Sequence, residues 1–156
     1  MSTRIIQVDS FTDRPFAGNP AAVCLLDAPA SEPWMQHVAA EMNLSETAFV
    51  HPIEPGRLFR LRWFTPRVEV DLCGHATLAA AHVLWEERML HRQTPARFET
   101  RSGRLSARRQ GGWIELDFPA EALGSAIIDQ LELDRIVAAL NAPLTLPTKV
   151  PSGNLG

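Results

Sequence analysis

The chain has 156 residues, 46% of them apolar and 21% charged, with 15 basic against 18 acidic side chains and a formal charge of −3. A chain of this length buries about 70% of its unfolded surface in one domain or a little more. Its apolar content and small charge exclude disorder, and the absence of a basic stripe speaks against electrostatic nucleic-acid binding.

The first element is a strand over Arg4 to Phe11, with Ile6 and Val8 on one face, followed by the turn-rich stretch Thr12 to Pro20 and a short apolar strand over Ala21 to Leu26. Ser31 is placed to cap a helix, Glu32 and Pro33 suit its first turn, and Trp34, Val38 and Met42 share the face expected to be buried. Thr47 to His51 reads as a strand. Phe59 to Phe64 is another, alternating Phe59, Leu61 and Trp63 with Arg60, Arg62 and Phe64 until Pro66 ends it.

From Gly74 to His91 the composition predicts a helix, apolar nearly all round between Ala76 and Trp85. Such a helix has to be surrounded by protein, which in a chain of short strands means a sheet curled around it. Its ten apolar-rich residues, interrupted by Thr77 and His82, fall short of the roughly 18 needed to span a membrane. Strands over Ala96 to Thr100, Arg104 to Gln110 and Trp113 to Phe118 complete an antiparallel meander, turning at Ser102-Gly103 and Gly111-Gly112.

Residues 1–118 thus read as one α+β lobe and 119–128 as a linker, with 129–156 as the beginning of a second, incomplete lobe. In that last part Leu133, Ile136, Val137 and Leu140 form an amphipathic stripe, and Thr148-Lys149-Val150 is strand-like. The stripe needs a partner surface that the remaining residues hardly supply. No charged n-region and apolar core opens the chain, so a cytoplasmic location is expected, with Cys24 and Cys73 as free thiols.

Three constellations can carry chemistry. Gly18-Asn19-Pro20 is, by spacing alone, a turn. Asn43-Leu44-Ser45-Glu46-Thr47 leaves a helix and enters an apolar strand, surroundings that raise a carboxylate's pKa and suit a general acid/base; a solvent-facing Glu46 satisfies the same local sequence.

The strongest is Asp71-Leu72-Cys73-Gly74-His75-Ala76-Thr77, at the start of the buried helix. Gly74 permits an unusual backbone angle or close substrate approach. The helix N-terminus favours a carboxylate or a developing enolate, and the same field lowers the pKa of a cysteine placed there. His75 can move a proton near neutral pH. An inert, buried Cys73 in a structural cap remains an alternative. A metal is not expected, because no second ligand pair stands at zinc spacing.

Taken in order, the stretches Val8-Asp9-Ser10-Phe11 with Phe16-Ala17-Gly18-Asn19-Pro20-Ala21-Ala22-Val23, Glu41 to Phe49, and Arg62 to Pro66 with Val70 to Ala79 resemble the PhzF-like family of phenazine-biosynthesis isomerase relatives. That family shares the diaminopimelate epimerase fold. The resemblance covers residues 4 to 118 well and the rest faintly. It implies two lobes, each a curled, mostly antiparallel sheet around a central helix, with the active site in the cleft between them.

By the same resemblance Glu46 takes the place of the proton-shuttling carboxylate and His75 that of the cleft histidine. Asn19, Ser45, Gly74 and Ala76 fall at substrate-binding positions. The implied chemistry is a proton shift on a small carboxylated metabolite without a cofactor, in a homodimer that binds neither nucleic acid nor membrane. Cys73 stands where related racemases and epimerases of this fold carry a catalytic cysteine; the glutamate shuttle is favoured because Glu46 lies in a full Asn-Leu-Ser-Glu-Thr context. A truncated or non-catalytic lobe serving as a binding or dimerising module is the expectation of a different class.

Overall fold

The computed structural model describes residues 3–14, 16–119 and 129–140. The chain divides into two compact units, Met1–Pro119 and Ala120–Gly156. The first runs β1 (Arg4–Ser10), β2 (Asn19–Leu25), α1 (Glu32–Met42), β3 (Glu46–Glu54), β4 (Leu58–Phe64), β5 (Glu69–Val70), α2 (Gly74–Glu86), β6 (Ala96–Thr100), β7 (Gly103–Gln110) and β8 (Trp113–Asp117). The eight strands form one curled sheet in the order β1-β2-β3-β4-β6-β7-β8, and the two-residue β5, which composition alone did not disclose, pairs with β4. The β2–β3 and β4–β6 pairings are parallel and the others antiparallel.

Alternation along the strands sorts side chains onto two faces. Val23, Ala48, Val50, Phe59, Leu61 and Trp63 point to the face that holds α2. There Ala76, Ala79, Ala80 and Ala81, all at 0% exposure, let the sheet close tightly around the helix. Trp63, Trp85, Phe59 and Phe98 fill this inner core, each contributing about 1.5–3 kcal/mol through apolar burial. On the outer face Cys24, Phe49 and Phe64 pack against Met35 and Ala39 of α1.

Two helices depart from the sequence reading. The buried stripe of α1 is centred on Met35 and Ala39, not on Trp34, which is exposed at the margin with its ring edge-on to Phe49. Ser31 occupies the N-cap position but makes no side-chain capping bond. The helix expected to reach His91 stops at Glu86. Arg88 takes a left-handed φ of 59° and the chain folds back, so that the Leu90 amide bonds to the Leu84 carbonyl at 3.0 Å and Leu90 is buried. Burying Leu90 against the core outweighs continuing a helix whose next residues, Glu87 and Arg88, are polar.

In the second unit, α3 (Gln130–Leu140) spans the expected amphipathic stripe. Asp129 starts it, its carbonyl accepting from the Leu133 amide at 3.1 Å and its carboxylate from the Leu131 amide at 3.0 Å. The strand expected at Thr148 to Val150 and most of the expected linker lie outside the described residues.

Candidate active site

Sheet register brings the site together. Ser10 pairs with Asn19, Val8 with Ala21, and Ala21 with Glu46. Directly paired residues share a face, so Ser10, Asn19 and Glu46 stand at one end of three adjacent strands, on the side that holds α2. The N-terminus of α2 meets them there. The Ser10 hydroxyl donates to the His75 carbonyl at 2.7 Å, and the Thr77 hydroxyl closes the first turn on the Cys73 carbonyl at 2.5 Å.

His75 is the hub. Its Nε2 lies 3.3 Å from Glu46 Oε2 and 3.3 Å from Ser45 Oγ, while its Nδ1 lies 3.4 Å from Cys73 Sγ. The imidazole is nearly buried and the Glu46 side chain keeps 20% of its surface open. Ser45 also reaches the Pro20 carbonyl at 3.4 Å, tying the β3 entry to β2.

The thiol departs from the expectation for a cysteine at a helix start. Burial pushes Cys73 up to about 11, and the Glu46 carboxylate adds to the rise. The amides of Ala76 and His75 pull the other way without overcoming it, and the sulfur makes no capping hydrogen bond of ordinary geometry. Cys73 is therefore a neutral donor at neutral pH. Its sulfur faces both Nδ1 of His75 and the Glu46 carboxylate, while Nε2 faces Glu46 and Ser45. The result is a closed cluster in which thiol, imidazole and carboxylate each face the other two.

One oxygen, one sulfur and one nitrogen from Glu46, Cys73 and His75 lie within 4.8 Å of one another, a spacing at which three groups could hold a metal ion. The carboxylate is nearest Nε2 of the ring and the thiol nearest Nδ1. The thiol and the carboxylate also face each other, so the three groups form one compact cluster.

Of the sequence-derived site residues, Ser45, Glu46 and Cys73 each contact His75. Asn19 is exposed at the rim, and Ala76 is fully buried, leaving only its amide relevant to the site. Gly74 does not adopt a left-handed backbone; a Cβ there would meet the Phe118 ring at 3.5 Å, ordinary contact, so the expected unusual backbone angle is absent.

The steric requirement falls instead on Gly18, where a Cβ would lie 2.5 Å from the Ser10 carbonyl oxygen and 2.7 Å from Thr12 Cγ2. Ser10, which bonds the His75 carbonyl, is a site residue that motif spacing does not single out. Its parity with Ile6 and Val8, which places it on the helix side of the sheet, was the available signal. Among the described residues no helix is long and apolar enough to cross a membrane, and both cysteines are free thiols.

A curled mixed sheet around a buried helix, with a carboxylate–imidazole pair at that helix's N-terminus, defines the class of epimerase-like half-barrels. Residues 8–147 match the family described as phenazine biosynthesis-like protein (PhzC-PhzF), and the chain belongs to it. It is 60% identical over 121 residues to an uncharacterized isomerase of Halalkalibacterium halodurans, covering 78% of this chain and 45% of that protein. A Pseudomonas aeruginosa protein, also named an uncharacterized isomerase, is 47% identical over 97% of this chain and 62% of its own length.

The chain thus spans about half the length of the curated relatives it matches. Among solved structures it is similar to a PhzF-family phenazine biosynthesis protein of Enterococcus faecalis, with TM-score 0.68 and 43% identity over 73% of this chain and 43% of that one. A hydroxyproline epimerase of Agrobacterium vitis shares the fold at 13% identity, with TM-score 0.55 over 73% of this chain and 40% of that one.

Proposed function

We propose that this chain carries the acid/base half of a cofactor-independent isomerase or epimerase acting on a small carboxylated metabolite. Glu46 removes a proton from a carbon next to a carboxylate or conjugated system. The electron pair moves onto the substrate oxygen, and the proton returns at another carbon. Nε2 of His75 orients the Glu46 carboxylate, and the α2 start at Gly74 faces the developing enolate oxygen, with the Ala76 amide holding the Cys73 sulfur beside it. Asn19 and Ser45 line the substrate.

The observation that carries this reading is the 3.3 Å contact of Glu46 with His75 beside a thiol held neutral, which favours the carboxylate over Cys73 as the base. A substrate similar to trans-2,3-dihydro-3-hydroxyanthranilate fits the family's chemistry. Residues 1–118 form the first lobe, 119–128 the linker and 129–156 part of a second lobe, in a cytoplasmic homodimer whose mass sedimentation would measure.

Deuterium uptake decides the mechanism. Candidate substrates are incubated in deuterated water with the wild type, Glu46→Gln and Cys73→Ser. Glu46→Gln is expected to slow label entry by about 100-fold or more, and Cys73→Ser to leave most of it. Label that persists in Glu46→Gln and stops in Cys73→Ser overturns the glutamate shuttle in favour of a cysteine epimerase. A protein that binds carboxylates but exchanges no label with any of them is a binding module.

A further inference from the structure

The outer face of the sheet, opposite Glu46 and His75, carries a second concavity. Residues 47, 49 and 51 of β3 and 60, 62 and 64 of β4 point away from α2, and α1 covers only part of them, over Phe49 and Phe64. Beside α1 the uncovered part opens into a cavity of about 390 Å³. One wall is cationic, formed by Arg60, Arg62 and Arg101 with His51. The other wall is apolar, formed by Met35 and Phe49 with Pro29 and Ala30 from the segment before α1.

We propose that this cavity binds a small organic carboxylate with an apolar body, at a site separate from Glu46 and independent of the function proposed for it. No acidic residue lines it. The carboxylates nearby pair with the guanidinium groups: Glu69 takes Arg62 through Nε and Nη2 at 2.6 Å each and Arg101 at 2.7 Å, Glu32 takes Arg62 at 2.7 Å, and Asp71 stands 3.7 Å from Arg101 Nε.

These clamps fix two guanidinium planes. None of these hydrogen bonds takes Arg62 Nη1, and Arg60 keeps its donors because its ion pair with Glu99 is 3.6 Å long, beyond a hydrogen bond. Arg60 stands directly across from His51 in the β3–β4 register. Burial, then Arg60 and Arg62, lower the pKa of His51, so its neutral ring presents one donor and one acceptor nitrogen. Guanidinium donors beside an apolar wall are an arrangement that binds a carboxylate at one end and its carbon body at the other.

Benzoate is the probe, with benzamide and inorganic phosphate as controls, and the His51 ring and Met35 methyl NMR signals of the full chain as the readout. Saturable shifts at His51 and Met35 are expected with benzoate, at least tenfold weaker binding with phosphate, and none with benzamide. Arg60→Gln, which keeps the stem and removes the charge, is expected to weaken benzoate binding at least tenfold. Ala30→Trp, which fills the cavity from its half-buried apolar side and leaves every charged residue in place, is expected to abolish it.

Glu46→Gln leaves the binding unchanged, which separates this cavity from the candidate active site. Equal binding of benzamide overturns the anion requirement, and equal binding of phosphate overturns the apolar one. Shifts confined to His75, or no saturable shift at millimolar benzoate, overturn the site itself.

Discussion

Cys73 tests the electrostatics of the site directly. An ordinary thiol near 9 is about 10% ionised at about pH 8, whereas one held at about 11 is about 0.1% ionised, a roughly 100-fold loss of the reactive form. The assay is alkylation by iodoacetamide across a pH series, with each cysteine peptide quantified by mass spectrometry. In the native chain Cys73 is expected to react about 100-fold more slowly at about pH 8 than in the unfolded chain, with its midpoint well above 9. Cys24, fully buried and also pushed to about 11 by burial, is the internal control and reacts only on unfolding.

Because the Glu46 carboxylate contributes to the rise, Glu46→Gln lowers the Cys73 midpoint and speeds its alkylation at fixed pH. A native midpoint at or below about 8 would refute the reasoning. It would mean that the amides at the helix start outweigh burial and Glu46, and Cys73 would then be a competent base.

Gly18→Ala forces a Cβ into the Ser10 carbonyl. It is expected to cost about 1–3 kcal/mol in chemical denaturation and to lower any exchange activity by displacing Asn19 and Ser10. Ala80→Leu inserts three carbons where α2 has no free surface, at an expected cost of about 1–3 kcal/mol or more in thermal unfolding.

Glu69 is 6% exposed and held below the usual carboxylate range by Arg62. Its depressed folded-state pKa contributes stability that is full above the unfolded carboxylate pKa and lost as pH falls through the folded one. Glu69→Gln should therefore cost about 2–3 kcal/mol at neutral pH and less in acid, as unfolding at several pH values would show. That cost is below the range for a fully buried pair because Arg62 stays partly solvated.

The local periodicities disclosed most of the first unit. The alternation of Phe59, Leu61 and Trp63 marked β4 and its buried face, and the run from Ala76 to Trp85 required a surrounding sheet because no face of that helix tolerates water. The two-residue β5 and the end of α2 were not legible. Both depend on partners distant in sequence or on a turn at Arg88 that no residue type announces. The trio of Glu46, Cys73 and His75 was visible as two separate motifs, because each sits at an element boundary with its own turn and cap residues.

Their chemistry was not visible, since the pKa of Cys73 is a contest between helix amides, burial and a carboxylate 27 residues earlier in the chain. The outer cavity went unread for the same reason: Arg60, Arg62 and His51 look in sequence like the solvated sides of two strands. What the sequence determined alone was therefore the elements, the wrapped helix and the residue types at the site, all set by short-range pattern. Only the tertiary structure decided which nitrogen of His75 faces Glu46, that Cys73 stays protonated, and that three arginines share one wall, because distances and desolvation arise only when strands meet in register.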